Sequence, residues 1–205
     1  MQENEQIKLA DESELSNVII GLSGKKQSGK DTVAMHLTEE YGFVRYAFAD
    51  PIKKACQVIF GFTDAQCWGD EKEIVDSYWN ITPRKVFQIF GTELFQYEFP
   101  KYAQELADIG RMFWVYVFAR WYEQQLAINP DIKVVITDVR FPFEAKMITS
   151  LGGTIIKISR DGAPTNDHHS SETDMDQIEY SHTIENNGSI GLLHKQIDDI
   201  VGLVF

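Results

Sequence analysis

The sequence predicts an α/β fold in which a parallel sheet is covered by helices on both faces, and three observations carry the prediction. Short apolar runs alternate with amphipathic stretches along the chain; the runs are apolar throughout, as strands buried on both faces are; and the first of them opens into a glycine-containing loop followed at once by a helical pattern. With 205 residues, 43% hydrophobic and 12% aromatic, the chain can close one such domain around a substantial core.

Residues 1–16 carry Glu3, Glu5, Asp11, Glu12 and Glu14 with almost no apolar periodicity, and read as a flexible acidic leader before a single domain over 17–205. Val18 to Leu22 is the first buried strand, closed by Ser23 and Gly24. From Asp31, the spacing of Val33, Ala34 and Leu37 predicts a helix that Gly42 ends, and Phe43 to Phe48 is the second strand. Pro51 suits a first helical position, with Ile52, Ala55, Cys56, Ile59 and Phe60 on one buried face. Residues 61–80 read as loop and short helix. Thr82 followed by Pro83 is a helix start, the hydroxyl accepting from an orphan N–H and the proline having none to lose, and that helix runs on through Val86, Ile89 and Phe90. Trp114, Val115, Phe118, Trp121 and Leu126 mark a long helix that Asn129 and Pro130 end. Lys133 to Thr137 is the third strand, Phe143 to Leu151 a helix, and Thr154 to Ser159 the fourth strand. A polar segment over about 160–176 has the length of a functional lid; a last strand, His182 to Glu185, and a helix carrying Leu192, Leu193, Ile197, Ile200 and Val201 complete the chain.

Composition excludes several function classes. Lys and Arg number 19 against 31 Asp and Glu, and a net charge of −12 would repel a nucleic-acid backbone over most of the surface. The longest apolar run, Met112 to Ala119, is far shorter than the ~20 residues of a membrane-spanning helix, and the acidic N-terminus lacks the basic start and apolar stretch of a secretory signal. Two cysteines, Cys56 and Cys67, are too few and too widely spaced for a disulfide framework or a CxxC metal pair, and are expected as free thiols inside a cell.

Chemistry concentrates first in Gly24-Lys25-Lys26-Gln27-Ser28-Gly29-Lys30, a GxxxxGK pattern set between strand and helix. Glycines at both ends let the backbone wrap a phosphate, with N–H groups and a helix N-terminus facing the charge, and Lys30 reaches the β- and γ-phosphates. The usual Ser or Thr after GK is replaced by Asp31, with Thr32 following. Asp31 suits Mg²⁺, directly or through water; equally, it could only stabilise the first helical turn. Asp138, ending the third strand, suits Mg²⁺ or its water beside the loop. Arg140 on the same edge is a phosphate contact or a structural ion pair. Asp50, at the C-terminal edge of the sheet, meets a substrate or caps the helix opening at Pro51. Arg84, Lys85 and Gln88 share one helix and could present a cation and an amide to a second ligand, or form a solvated face; Arg111 is open in the same way. Arg160 is the best phosphate contact of the polar segment. Its Asp167, His168, His169 and Glu172 do not make a convincing metal set, since adjacent histidines rarely converge on one ion.

Taken together, GLSGKKQSGKDTVA, FADPIKKA, TPRKVFQIFGTELF, VVITDVRFPFEA, DHHSSE and HTIENNG resemble the deoxynucleoside monophosphate kinases of bacteriophages and large DNA viruses, from Val18 to about Val201. The resemblance implies a P-loop fold with a five-stranded parallel sheet, a helical substrate-binding region and a lid, and transfer of the ATP γ-phosphate to a deoxynucleotide. It implies that Gly24, Lys25, Ser28, Gly29, Lys30, Asp31 and Thr32 bind ATP with Mg²⁺, that Asn187 and Gly188 border the adenine, and that Asp50, Lys53, Arg84, Gln88 and Arg111 face the monophosphate. Asp138 and Arg140 would complete the reaction centre, and Arg160 would close from the lid. A cytoplasmic setting, in the host for a viral chain, and a homodimer are the further expectations. The nearest alternative is a kinase of a small phosphorylated metabolite, of the phosphomevalonate or dephospho-coenzyme A type, against which PRKVFQIFGTE argues. From another class, a nucleotide-binding module without transfer would fit the loop alone, although the NKxD motif of a guanine-specific switch is missing.

Overall fold

The computed structural model describes residues 18–163 and 174–204, so the acidic leader and the segment containing His168 and His169 lie outside the described residues. Five parallel strands form one sheet in the order β2-β3-β1-β4-β5: β1 Val18–Ser23, β2 Val44–Tyr46, β3 Lys133–Ile136, β4 Thr154–Ser159 and β5 His182–Glu185. β1 is central, paired to β3 on one side and β4 on the other, and every residue of it is buried. The loop at its C-terminal end therefore leaves from the middle of the sheet, where doubly wound folds place their ligands.

Helices cover both faces, as the apolar runs require. On one face α1 (Lys30–Tyr41) and α8 (Ile190–Val204) pack Val33, Ala34, Leu37, Leu193 and Ile197 against Ile20, Leu22, Ile156 and Ile158. On the other, α6 (Phe113–Ile128) and α7 (Pro142–Ser150) bring Val115, Phe118, Ala145 and Ile148 onto Ile19, Val134, Ile136 and Ile155. Cys56 and Cys67 are buried free thiols, and burial pushes Cys56 up to about 12.

Two elements differ from the sequence reading for reasons that are not local. β2 has three residues where six were expected, because it is an edge strand hydrogen-bonded only to β3, and Val44 and Arg45 lie exposed. α2 spans Ala49–Phe60 and begins two residues before Pro51. Asp138, at the end of β3, supplies the acceptors: Phe48 N–H and Ala49 N–H donate to its two carboxylate oxygens at 2.8 and 3.0 Å. Asp50 thus lies within the first turn and does not cap it. Ile59, expected on the buried face of α2, is 56% exposed.

The stretch between α2 and α6 builds one wall of a cavity lined by Arg84, Gln88, Thr92 and Gln96. After the short α3 (Asp64–Cys67), a single 3₁₀ turn covers Glu71–Glu73. Thr82 caps α4 (Pro83–Gln88), its hydroxyl accepting from Lys85 N–H at 3.2 Å, as the Thr-Pro pair predicts. The helix then continues not as α but as a π-helix over Ile89–Glu98, ending in the one-turn α5 (Phe99–Tyr102). Trp114 of α6 pins this wide helix: its buried indole N–H donates to the Gly91 carbonyl at 2.7 Å.

Candidate active site

The loop from Gly24 to Gly29 joins β1 to α1 with three positive φ values, at Gly24 (149°), Gln27 (63°) and Gly29 (109°). Side chains at the two glycines would collide with the fold. A Cβ on Gly24 would run into the Ile158 carbonyl and stand 2.8 Å from Ser28 Oγ, and one on Gly29 would run into the Asn186 amide. Lys30 Nζ lies across the loop, donating to the Gly24 and Lys25 carbonyls at 2.7 Å each. Ser28 Oγ is buried without a hydrogen-bond partner among the described residues. A tightly wound loop with a lysine over it, at the N-terminus of a twelve-residue helix, is built to hold an anion.

Around this loop one cleft gathers Ser28, Gly29, Lys30, Asp31, Thr32, Arg160 and Gly188, all singled out in the sequence, together with Asn186, which was not. Asn186 Nδ2 donates to the Ser28 carbonyl at 2.8 Å and so braces the loop from the end of β5. Its neighbour Asn187 does a different job from the one expected. Asn187 Oδ1 accepts from Asp161 N–H and its Nδ2 donates to Asp161 Oδ2, both at 2.9 Å, tying the end of β4 to the end of β5 outside the cleft lining. Lys25 is exposed and contributes its carbonyl to Lys30.

A second cavity opens beside it. Val139 N–H donates to the Leu22 carbonyl at 3.1 Å, which holds the segment after β3 against the root of the phosphate loop. Asp138 and Arg140 of that segment line the cavity with Arg84 and Gln88 of α4, Thr92 and Gln96 of the π-helix, and Glu144 of α7; Phe48, Phe87, Trp114 and Phe141 give it apolar walls. Polar groups and aromatic rings in one lining suit a flat, polar-edged ligand carrying a phosphate. Arg84 Nε meets Glu73 Oε1 at 3.0 Å. Burial raises the Asp138 carboxyl, opposed by its two N–H donors and by Arg140. Burial likewise pushes Glu144 up to about 8, although Arg140 N–H and Phe141 N–H both donate to its Oε2, at 2.7 and 3.0 Å.

Three residues expected at the monophosphate lie outside this lining. Asp50 is held by Arg45 Nη1 at 2.7 Å and by the Trp68 indole N–H at 3.1 Å. Lys53 is half-buried on α2, and burial lowers its ammonium despite the nearby Asp50 and Asp138 carboxylates. Arg111 pairs with Asp174 at 3.3 Å and covers the Phe141 and Phe143 rings at 5.4 and 5.5 Å, so it backs the aromatic wall from behind. Asp138, expected at Mg²⁺, lines the second cavity and not the loop cleft, because its two oxygens anchor α2. Asp31 and Thr32 do line the loop cleft, and one carboxylate with a hydroxyl beside a phosphate cradle is a donor set that Mg²⁺ accepts alongside phosphate oxygens and water.

Similarity to known proteins agrees with the residues. The family model described as deoxynucleotide monophosphate kinase matches residues 18–67 and 60–197. A protein of Acanthamoeba polyphaga mimivirus, provisionally named a deoxynucleotide monophosphate kinase, is 40% identical over 185 residues, covering 88% of this chain and 94% of its own length. The deoxynucleotide monophosphate kinase of Enterobacteria phage T4 is 25% identical over 245 aligned positions, covering 87% of this chain and 96% of its own. The glycine-rich loop on β1, the cavity beside it and these matches lead to one conclusion: the chain belongs to the deoxynucleotide monophosphate kinase family.

Proposed function

We propose that this chain transfers the γ-phosphoryl group of ATP to a deoxynucleoside monophosphate, giving ADP and the deoxynucleoside diphosphate. The observation that carries the reading is the adjacency of two sites of complementary character: a phosphate loop on β1, and, across the Val139–Leu22 contact, a cavity lined by two arginines, two glutamines and aromatic rings. An anion-binding loop alone would serve a binding module as well; a second cavity built for another phosphate serves transfer.

The chemistry asks little of a base. An oxygen of the monophosphate is already anionic, so a P–O bond forms at the γ-phosphorus while the bond to the β-phosphate oxygen breaks, and the protein aligns two polyanions and offsets their charge. Backbone N–H groups of Gly29 and Lys30 and the Lys30 ammonium face the donor, with Arg160 in the same cleft lining. Arg84 and Arg140 face the acceptor phosphate, and Gln88 and Phe141 orient the nucleoside. When bound, Mg²⁺ held by Asp31 and Thr32 would offset charge on the donor phosphates. Asp138 acts through α2, holding Phe48 and Ala49 in the cavity wall.

ADP release by the purified protein with Mg²⁺ and ATP tests the reading, across dTMP, dGMP, dCMP, dAMP, their ribose counterparts, phosphomevalonate, dephospho-coenzyme A and no acceptor. Stimulation by at least one deoxynucleotide is the expected result. Turnover with a non-nucleotide acceptor alone would remove the roles given to Arg84 and Gln88, and ATP binding without acceptor-dependent turnover would leave a binding module.

A further inference from the structure

Two polar side chains of the second cavity, Thr92 and Gln96, have no part in the chemistry above. With Arg84 and Gln88 they form a row at four-residue spacing along α4 and the π-helix that continues it, and all four line the cavity. Ordinary winding would not keep such a row together. At about 3.6 residues per turn each four-residue step overshoots a full turn by about 40°, so an α-helix carried on to Gln96 would swing it about 120° away from Arg84. The i→i+5 bonds of a π-helix put more than four residues into a turn; each step then falls short of a full turn, and the drift reverses. The change of winding at Ile89 therefore keeps Thr92 and Gln96 on the same wall as Arg84. Trp114 fixes the place of the change, its indole N–H donating at 2.7 Å to the carbonyl of Gly91, the residue before Thr92. Thr92 and Gln96 are half-buried, and neither side chain hydrogen-bonds to another described residue.

We propose that Gln96 selects the acceptor by reading the hydrogen-bonding edge of its base. The inference rests on the phosphotransfer reading above and adds to it the residue that tells one deoxynucleotide from another. The arginines of the lining set which end is which. Arg140 follows Val139, whose N–H donates at 3.1 Å to the Leu22 carbonyl at the root of the phosphate loop, so the cationic end of the cavity lies toward the donor and takes the acceptor phosphate. Gln96 stands at the opposite end of the row from Arg84 and carries no charge. A phosphate calls for a cation, whereas a base edge calls for a neutral group that both donates and accepts, and a primary amide is that group. Phe87, Trp114 and Phe141 in the same lining supply rings on which a base can stack. Turned one way, the amide pairs with the carbonyl and ring N–H that thymine and guanine present; turned end for end, it pairs with the ring nitrogen and amino group of cytosine and adenine. A carboxylate in its place could only accept. Guanine offers a carboxylate two adjacent donors, the ring N–H and the 2-amino group, while thymine offers one donor between two carbonyls.

The test compares wild type with Gln96→Met and Gln96→Glu. Transfer is measured with dTMP, dGMP, dCMP and dAMP, with inhibition constants taken for any of them that does not turn over, and 2-deoxyribose 5-phosphate serves as a competitor that has no base. Gln96→Met is expected to raise KM about tenfold or more for each deoxynucleotide that wild type accepts, while kcat, KM for ATP and inhibition by 2-deoxyribose 5-phosphate stay within about threefold. Gln96→Glu is expected to shift the preference for dGMP over dTMP about tenfold or more toward dGMP, a change that damage to a wall would not produce. Unaltered KM values in Gln96→Met, or an unshifted preference in Gln96→Glu, would overturn the inference and leave the phosphotransfer reading standing. Equal weakening of the deoxynucleotides and of 2-deoxyribose 5-phosphate would overturn it too, since a residue that only shapes the wall gives that result. Should one variant fail to fold, the other decides. Wild type without deoxynucleotide-dependent turnover would instead overturn the phosphotransfer reading and this inference with it.

Discussion

Replacing Gly29 with Ala probes how the phosphate loop is held. The residue sits at φ 109°, a conformation that costs an L side chain roughly 1–3 kcal/mol, and its Cβ would run into the Asn186 amide. Asn186 must swing away, and its 2.8 Å bond to the Ser28 carbonyl, a net contribution of about 1 kcal/mol, goes with it. Gly29→Ala should therefore destabilise the fold by about 2–4 kcal/mol, and Asn186→Ala by about 1 kcal/mol. In the double variant the bond is already absent and the collision is gone, so its loss should match that of Gly29→Ala alone or fall below it. Urea unfolding of the four proteins at constant m-value reads these quantities directly. Losses that simply add, a double variant about 1 kcal/mol worse than Gly29→Ala, would refute the proposition that Asn186 braces the loop through the space above Gly29.

Three further outcomes are expected. Lys30→Met should abolish phosphoryl transfer while circular dichroism and thermal unfolding show an intact fold; near-normal turnover would remove Lys30 from the reaction. Asp138→Asn leaves one of the two N–H groups opening α2 without an acceptor and should cost about 1–3 kcal/mol, raising KM for the deoxynucleotide more than for ATP because Phe48 and Ala49 line only the acceptor cavity. Glu144 is raised from 4.5 to about 8, so the folded protein holds its proton more tightly than the unfolded chain; the stability this gives is full below about pH 4.5 and is lost as pH rises through about 8. Urea midpoints measured between pH 5 and 8.5 should fall more steeply with pH in wild type than in Glu144→Gln, and parallel slopes would show that Glu144 is ionised when buried.

What the sequence revealed and what it concealed divide along the range of the interactions. The phosphate loop, the Thr82-Pro83 start and the central strands were legible because a turn, a cap and a buried strand each depend on a few neighbouring residues. The start of α2 was not, since its N–H groups are satisfied by Asp138, some ninety residues downstream in β3's wake. Asn186 gave no signal for the same reason: it and Asn187 are adjacent, identical amides, and only the fold shows that Asn186 reaches the Ser28 carbonyl while Asn187 binds Asp161. Asp50 and Arg111, left open by their positions and put at the monophosphate only by the resemblance, are engaged by Arg45, Trp68 and Asp174.

A cavity wall built on a π-helix can be remodelled by length as well as by side chain. Because the ten residues from Ile89 to Glu98 are wound more widely than an α-helix, losing one of them would let part of the stretch return to the ordinary 3.6-residue turn. The change would be taken up within the π-helix and would reset Thr92 and Gln96 along the cavity wall, while Arg84 and Gln88, upstream in α4, would keep their places. The end of the cavity that carries Arg84 and Gln88 is in this way insulated from the end formed by the π-helix. Relatives that accept different nucleotides would then be expected to differ by single-residue gaps between the segments equivalent to Gln88 and Phe99, and alignments that force those gaps closed would hide the change.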